Sequence, residues 1–421
     1  MHQSATLPNG IRILTATMPH VRSVSIAFFF CAGSRYECAE QSGVSHLIEH
    51  MLFKGSERFP TAQVISEAIE GVGGLLDAGT DKELTVYSVK IASRHFDLAM
   101  GLLADMVRWP RFEEAELDKE RRVIIEELGM YRDSPQDWVS VLGDETVWPD
   151  LPLGREVAGT RETVEGIARE TVAGYWRGHY VPGNLVVSIA GDVEHERVVA
   201  CVAELLGDWE ARDVPRWEPC PPPVDAPRVR LEQRKTEQTN LALYTLGIPH
   251  RDRDEYTMPL LNAVLGDGMS SRLFLEVRER QGLAYDVGSS PVSYHDTGVM
   301  VVSAGVEPRR ARAALKAILA QLRRVRDEAV GEEELRRAKE YTKGRMALRL
   351  EDTGSVAHWL GGQEALLGDV RELDETLERI DEVTSDDIQR LARTIFRDEW
   401  LRLALIGPHK DAAMFERALH L

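Results

Sequence analysis

Asn184-Leu185-Val186-Val187-Ser188-Ile189-Ala190-Gly191 reads as a buried strand that ends in glycine. About 216 residues further on, Trp400-Leu401-Arg402-Leu403-Ala404-Leu405-Ile406-Gly407 repeats the design. Other features recur at nearly the same offset. The acidic helix start Glu113-Glu114-Ala115-Glu116-Leu117 returns as Glu332-Glu333-Glu334-Leu335. Before each lies a strand and then a helix: Thr85–Ala92 with Phe96–Val107, and Val299–Val306 with Ala311–Val325. A shared offset of this kind is the mark of an internal duplication. The mixed order of strands, hairpins and long helices points to α+β sandwiches, with helices packed on one side of a sheet.

The chain has 421 residues, too many for one ordinary domain. Its clearest break is Asp213–Arg228, which holds six prolines at 215, 219, 221, 222, 223 and 227. That density excludes helix and central strand and implies a semi-rigid extended linker. The expected division is therefore residues 1–213, a linker at 214–227, and residues 228–421. Near the start, Leu7-Pro8-Asn9-Gly10-Ile11-Arg12-Ile13-Leu14 reads as a turn between two strands.

With 43% hydrophobic and 29% charged residues, the composition is that of a water-soluble globular protein. The longest apolar run, Ile26–Ala32, is strand-sized, so no membrane insertion is expected. No basic stretch followed by an apolar core marks a secretory signal, and the expected location is cytoplasmic. The net charge of −18 argues against a nucleic-acid partner. The four cysteines, at 31, 38, 201 and 220, have no Cys-x-x-Cys spacing and do not suggest a zinc–thiolate site. Cys31 and Cys38 could pair across a hairpin, but reduced thiols fit a chain without an export signal better.

The chemistry lies in His46-Leu47-Ile48-Glu49-His50, which occurs in the first half only. Two histidines four apart on a helix share one face, one turn apart, so both imidazoles can reach a single ion. The helix predicted over 44–54, with Gly55 as its C-cap candidate, is apolar nearly all round. Its one polar stripe between Ser45 and Lys54 is His46, Glu49 and His50. Three ionisable groups on a buried helix are costly unless something satisfies them, and a bound cation satisfies all three. The bland alternative is a core helix whose histidines merely hydrogen-bond.

A catalytic zinc typically takes three protein ligands and a water. A second helix offers Glu120, Glu126 and Glu127. Leu117, Glu120, Ile124, Glu127, Leu128 and Tyr131 fall on one stripe at helical period, whereas Lys119, Arg122 and Glu126 fall on a solvated one. Glu127 is therefore the expected third ligand, with Glu120 behind it orienting a ligand. Histidines with a carboxylate and no thiolate suit Zn²⁺ best, with Mn²⁺ or Co²⁺ as alternatives. Glu49 is placed as general base: it takes a proton from the attacking water and returns it to the leaving amine. His-x-x-Glu-His, the reverse of the common His-Glu-x-x-His motif, is a known peptidase signature.

These residues resemble the pitrilysin-type inverzincin metallopeptidases, and the resemblance covers nearly the whole chain. It is carried by Gly43-x-x-His46-Leu47-x-Glu49-His50-Met51-x-Phe53-Lys54-Gly55, by Gly73-Gly74 and Glu83-x-Thr85-x-Tyr87, and by Glu120-Arg121-x-Val123-Ile124-x-Glu126-Glu127. Pro152-Leu153-Gly154-Arg155, Ser271-Arg272-Leu273-Phe274 and Arg278-Glu279-x-x-Gly282-x-Ala284-Tyr285 extend it. Length and layout are most similar to the bacterial branch related to the β subunit of the mitochondrial processing peptidase.

The resemblance implies one Zn²⁺ per chain on His46, His50 and Glu127, with Glu120 auxiliary to the site. It implies that Arg278 and Tyr285 reach across to the substrate near the zinc. From the sequence alone, Arg278 would be a surface residue of a charged helix. The implied fold is two homologous halves, each of two α/β sandwich subdomains, facing each other as a clamshell around a chamber. Peptide would bind there by adding a strand to the sheet edge supplied by 73–87, which includes Asp77 and Ala78.

The chain departs from the family where Asp77-Ala78-Gly79-Thr80 replaces the usual Asn-Ala-x-Thr. It departs again at Val141, where a second acidic residue beside Asp137 would be needed to read a presequence arginine. The expected function is a zinc endopeptidase acting on peptides or unfolded segments. The expected assembly is a homodimer, with a heterodimer with a sister subunit as the alternative. A non-catalytic structural or partner subunit is the rival reading.

Overall fold

The computed structural model describes residues 2–221 and 228–421; the linker positions 222–227 lie outside the described residues. The chain forms two compact units, each built on one sheet. The first unit comprises Met1–Gly129, Glu156–Glu218 and Ala347–Glu372, and the second comprises Met130–Arg155, Pro219–Met346 and Leu373–Leu421.

The first sheet has six strands: β1 (Gln3–Thr6), β2 (Arg12–Thr17), β3 (Ser23–Phe30), β4 (Leu75–Thr80), β5 (Thr85–Ala92) and β6 (Leu185–Gly191). Their order is β1-β2-β6-β3-β5-β4, and β2–β6 is the parallel pair. The second sheet contains β7 (Val229–Gln233), β8 (Thr239–Leu246), β9 (Ala284–Ser293), β10 (Gly298–Val306) and β11 (Arg402–Gly407). Their order is β7-β11-β8-β10-β9, and β7–β11 is the parallel pair. Without β1 the two sheets have one topology, with β6 and β11 in equivalent places. This is the duplication that the recurring strands at 184 and 400 implied.

The resemblance implied two subdomains per half. Among the described residues each unit holds one sheet, because all the strands of each half pair into one. Residues 23–30 read as a nearly continuous apolar run because β3 is central and covered on both faces. On one face Ile26, Phe28 and Phe30 pack with Leu47, Ile48 and Met51 of helix α1 (Val44–Leu52) and with helix α2 (Phe96–Arg108). On the other face Ala27 and Phe29 pack with Ala357 and Leu360.

Those last two residues come from the other half of the sequence. Here the compact units depart from a division at the Pro-rich segment. Helix α3 (Glu114–Asp133) ends within the second unit, and helix α4 (Pro135–Val147) packs on β8 and β11 there. Helix α5 (Ala311–Asp327) stays with its own sheet, and helix α6 (Glu332–Arg349) runs to the boundary of the first unit. Helix α7 (Thr353–Leu367) then packs on β2, β3 and β6. Each sheet thus receives its second covering layer from the other half.

The exchanged helices dock through matching glycines. A Cβ at Gly361 of α7 would lie 2.1 Å from the buried ring of Phe29, and one at Gly143 of α4 would lie 2.2 Å from the ring of Tyr244. Gly361→Ala gains helix propensity, up to about 1 kcal/mol. The ring it meets is fixed in a packed core, and overpacking costs about 1–3 kcal/mol. The net expectation is a lower denaturant midpoint, recovered when Phe29→Leu is added.

Candidate metal centre

Helix α1 begins at Gly43, whose φ of 95° places it in the left-handed region. A Cβ there would also meet the Ala158 carbonyl at 2.6 Å. The buried Glu37 carboxylate accepts from the Gly43 and Ser45 amides, each at 2.8 Å. A carboxylate on these first amides satisfies the helix's open N–H groups and complements its dipole. The helix stops at Leu52 with Phe53 as its C-cap, so Gly55 is not the cap expected from sequence. Gly55 has a φ of 144°, in a turn where a Cβ would meet the Pro60 carbonyl.

Val44, Leu47, Ile48, Met51 and Leu52 are buried, while His46, Glu49 and His50 form a half-buried stripe. On α3, Leu117, Glu120 and Ile124 are buried, Glu127 is half-buried and Glu126 is exposed. Helical period thus sorted the carboxylates as the structure does. It misplaced Tyr131, which is 53% exposed, because α3 leaves the first unit after Gly129.

His46, His50 and Glu127 each present a ligand atom, all within 4.8 Å of one another. His50 Nε2 lies 3.6 Å from Glu127 Oε2. On the other side of the ring, His50 Nδ1 donates to Glu120 Oε2 at 3.1 Å. Glu120, 5% exposed, also accepts from Lys54 Nζ at 2.8 Å. A carboxylate can only accept here, so Nδ1 carries the proton and Nε2 keeps its lone pair for an ion. Lys54 was not singled out from the sequence, although it stands one helical turn beyond His50 on the same stripe.

The electrostatics suit a bound cation. Burial, then the neighbouring His50, pushes the His46 imidazole down to about 4, so it is a neutral ligand at neutral pH. Burial alone would lower His50 as well, but the Glu120 hydrogen bond and the Glu127 and Glu49 charges outweigh it and raise the pKa. Burial raises Glu49, partly offset by a hydrogen bond from Thr80. Burial opposes ionisation of Glu120 too, yet the hydrogen bonds from His50 and Lys54 prevail and hold it low. His46 Nδ1 and Glu49 Oε2 are buried without a hydrogen-bond partner among the described residues. Orphaned atoms of this kind, beside two imidazoles and a carboxylate, fit a divalent ion of the zinc type.

Removing the carboxylate behind His50 tests this layer. Glu120→Ala is expected to weaken zinc binding about 10- to 100-fold, measured by competition with a chelator. The fold should persist, because α3 keeps Leu117 and Ile124 in the core.

The remaining candidate residues fall in two places. Asp77 and Ala78 lie on β4, the free edge of the first sheet, with Asp77 exposed and Ala78 half-buried. Arg278 and Tyr285 belong to the second unit. Arg278 sits in a π-helical turn, Phe274–Arg280, with its guanidinium 4.7 Å from the Phe274 ring. Tyr285, on β9, is 76% exposed. The Arg278 side chain is 40% exposed, which agrees with the surface position read from the sequence alone.

Residues 12–161 match the family model described as Insulinase (Peptidase family M16), and residues 166–341 match Peptidase M16 inactive domain. An uncharacterized zinc protease of Streptomyces coelicolor is 38% identical over 412 residues, covering 96% of this chain and 89% of that one. The chain belongs to peptidase family M16. Another M16 relative, an uncharacterized zinc protease of Bacillus subtilis, is 35% identical over 407 residues, with 96% and 97% covered. The same fold is seen in a crystal structure of a protease from Helicobacter pylori. That chain has a TM-score of 0.92 at 22% identity and covers 97% of this chain and 99% of its own. The inactive-domain match agrees with the absence of His-x-x-Glu-His from the second half. No helix among the described residues is long and apolar enough to cross a membrane.

Proposed function

We propose that this M16 member is a zinc endopeptidase that cleaves peptides and unfolded segments, with Glu49 as general base. The observation that carries the reading is the cluster of His46, His50 and Glu127, with the second carboxylate oxygen of Glu49 buried and unpartnered beside it. These three residues would hold the ion, and Glu120 and Lys54 would hold His50 in the right tautomer. When bound, zinc supplies Lewis acidity that polarises the scissile carbonyl and acidifies water. Glu49 takes the proton of the attacking water and delivers it to the leaving amine.

The substrate class follows from the sheet edge. Among the described residues β4 is an unpaired edge, and it packs against α1, the helix that carries Glu49. An extended peptide can add to this edge as a further strand, passing Asp77 and Ala78. A folded domain cannot, so unfolded segments are selected. Arg278 and Tyr285 are assigned to the substrate, where a cation and a phenol would stabilise the oxyanion or hold the peptide backbone.

None of the four cysteines is joined in a disulfide, which suits the cytoplasm as working compartment. The proposed assembly is a homodimer, and no nucleic-acid partner is proposed for a chain of net charge −18.

The test is cleavage of an unstructured peptide library by protein with a measured zinc content. Activity should vanish with a chelator and return with stoichiometric zinc; cleavage that survives complete metal removal would refute the reading. Mixing Glu49→Gln chains with Arg278→Ala chains then locates the second set of residues. Recovery of activity places Arg278 and the metal of one site on different copies; its absence places them on one chain.

A further inference from the structure

We infer that Gly79 sets the side-chain preference of the peptide edge: where it stands, the open face of β4 has room for an aromatic side chain of the docked strand. The inference rests on the peptidase reading above.

Glycine weakens a strand, because it gives up the most backbone freedom on folding and packs nothing. Where the fold itself needs one, the cause is visible. Besides Gly79, the strands contain Gly191, Gly288, Gly298, Gly305 and Gly407. A Cβ at Gly191 would meet the Ser23 carbonyl at 2.3 Å, one at Gly298 the Ile248 carbonyl at 2.2 Å, and one at Gly407 the Thr239 hydroxyl at 2.6 Å. At Gly305 and Gly288 it would meet neighbours at 2.9 and 3.4 Å. At Gly79 it would meet nothing within 4 Å among the described residues, and the Gly79 φ lies outside the left-handed region. Neither packing nor backbone calls for glycine there. A strand glycine of this kind marks a place where another molecule comes close.

What comes close is set by the edge. Gly79 is exposed on the face of β4 that it shares with Asp77, and β4 is an outer strand. The corresponding edge of the second sheet is blunted. Pro291 of β9 has no N–H, and the Ser289 amide donates to the Gly266 carbonyl at 3.2 Å. Among the described residues, no backbone group outside the ladder with β5 pairs with Leu75–Thr80.

A peptide strand added to β4 places the residue opposite Gly79 on the same open face. Inward of Gly79, its ladder partner on β5 is Val86, half-buried against Ala27, Phe29 and Leu84. Val86 stands two strand spacings from the peptide, about 9.6 Å. Only a long side chain lying flat across Gly79 reaches it. An aromatic ring does so, and it gains twice: it covers an edge glycine, and it meets a β-branched residue. A side chain at position 79 would stand in the path of the ring.

The test digests an unstructured peptide library with zinc-loaded full-length protein and reads the cut sites by mass spectrometry. Phenylalanine, tyrosine and tryptophan should be enriched about fivefold over alanine at one position fixed relative to the cut. Gly79→Val fills the space, and that enrichment should disappear, with the preferences at other positions as internal reference. The denaturant midpoint of Gly79→Val should be no lower than that of the wild type, because valine suits a strand and meets nothing there. Enrichment that survives in Gly79→Val would overturn the inference, as would a wild type with no aromatic position. A lowered midpoint would also overturn it, by showing that the fold needs the glycine.

Binding without turnover separates this inference from the reading beneath it. A labelled unstructured peptide with one central phenylalanine should bind the metal-free wild type about fivefold more tightly than its alanine counterpart, measured by fluorescence anisotropy. Gly79→Val should bind the two alike. Equal affinities in the wild type count against the inference. If the zinc-loaded wild type cleaves nothing, the peptidase reading falls, and these affinities alone decide the role of Gly79.

Discussion

Glu49→Gln is expected to bind zinc as the wild type does and to lose peptide hydrolysis by about 10²- to 10⁴-fold in kcat. Glutamine keeps the shape of the side chain and a carbonyl oxygen that can still accept a hydrogen bond. It leaves His46, His50 and Glu127 untouched, so the metal should remain. What it removes is the only proton acceptor proposed for the attacking water. Burial raises the Glu49 pKa, and a base whose pKa lies nearer the working pH can both take a proton and return it. Zinc analysis and library cleavage on the same preparation separate the possibilities. Metal loss would make Glu49 part of the ion's support, and full activity would remove it from the chemistry.

The second large effect is on stability. Arg35, 0% exposed, pairs with the buried Glu83 at 2.5 Å. Its guanidinium also donates to the Glu218 carbonyl at 3.1 and 3.3 Å and lies 4.3 Å from the Trp217 ring. One cation thus joins the turn between β4 and β5 to the start of the Pro-rich segment. Arg35→Met strips a buried carboxylate of its guanidinium, a loss worth about 3–5 kcal/mol. A fall in the denaturant midpoint of that size is expected, measured with zinc removed so that binding does not mask it. Replacing both partners by apolar residues, as Arg35→Met with Glu83→Leu, should recover much of the loss. A double variant as unstable as the single one would show that the pair matters for more than its own charge balance.

How much could be read beforehand depended on whether a residue's environment is local. Thr85–Ala92 was bounded correctly because alternation and the flanking residues decide a strand from nearby sequence. Glu127 was separated from Glu126 because one helix imposes its own period. Tyr131 lies on the same stripe and was misjudged, since no periodicity reveals where a helix leaves one compact unit for another. The exchange of α4 and α7 was invisible for the same reason: an apolar face says that it will be covered, not by which half. Lys54 was within reach, one helical turn beyond His50.

The traded helices have a further consequence for the life of the molecule. A protease nick in the Pro-rich segment would leave two polypeptides. Each would keep the strands of one sheet but carry the layer that covers the other sheet. Neither fragment could finish its own core, and each would expose the apolar face that its missing helix covers. The pair should therefore co-purify, and separately expressed pieces should gain structure only when mixed. What reads as a tether in the sequence would then be dispensable for holding the protein together.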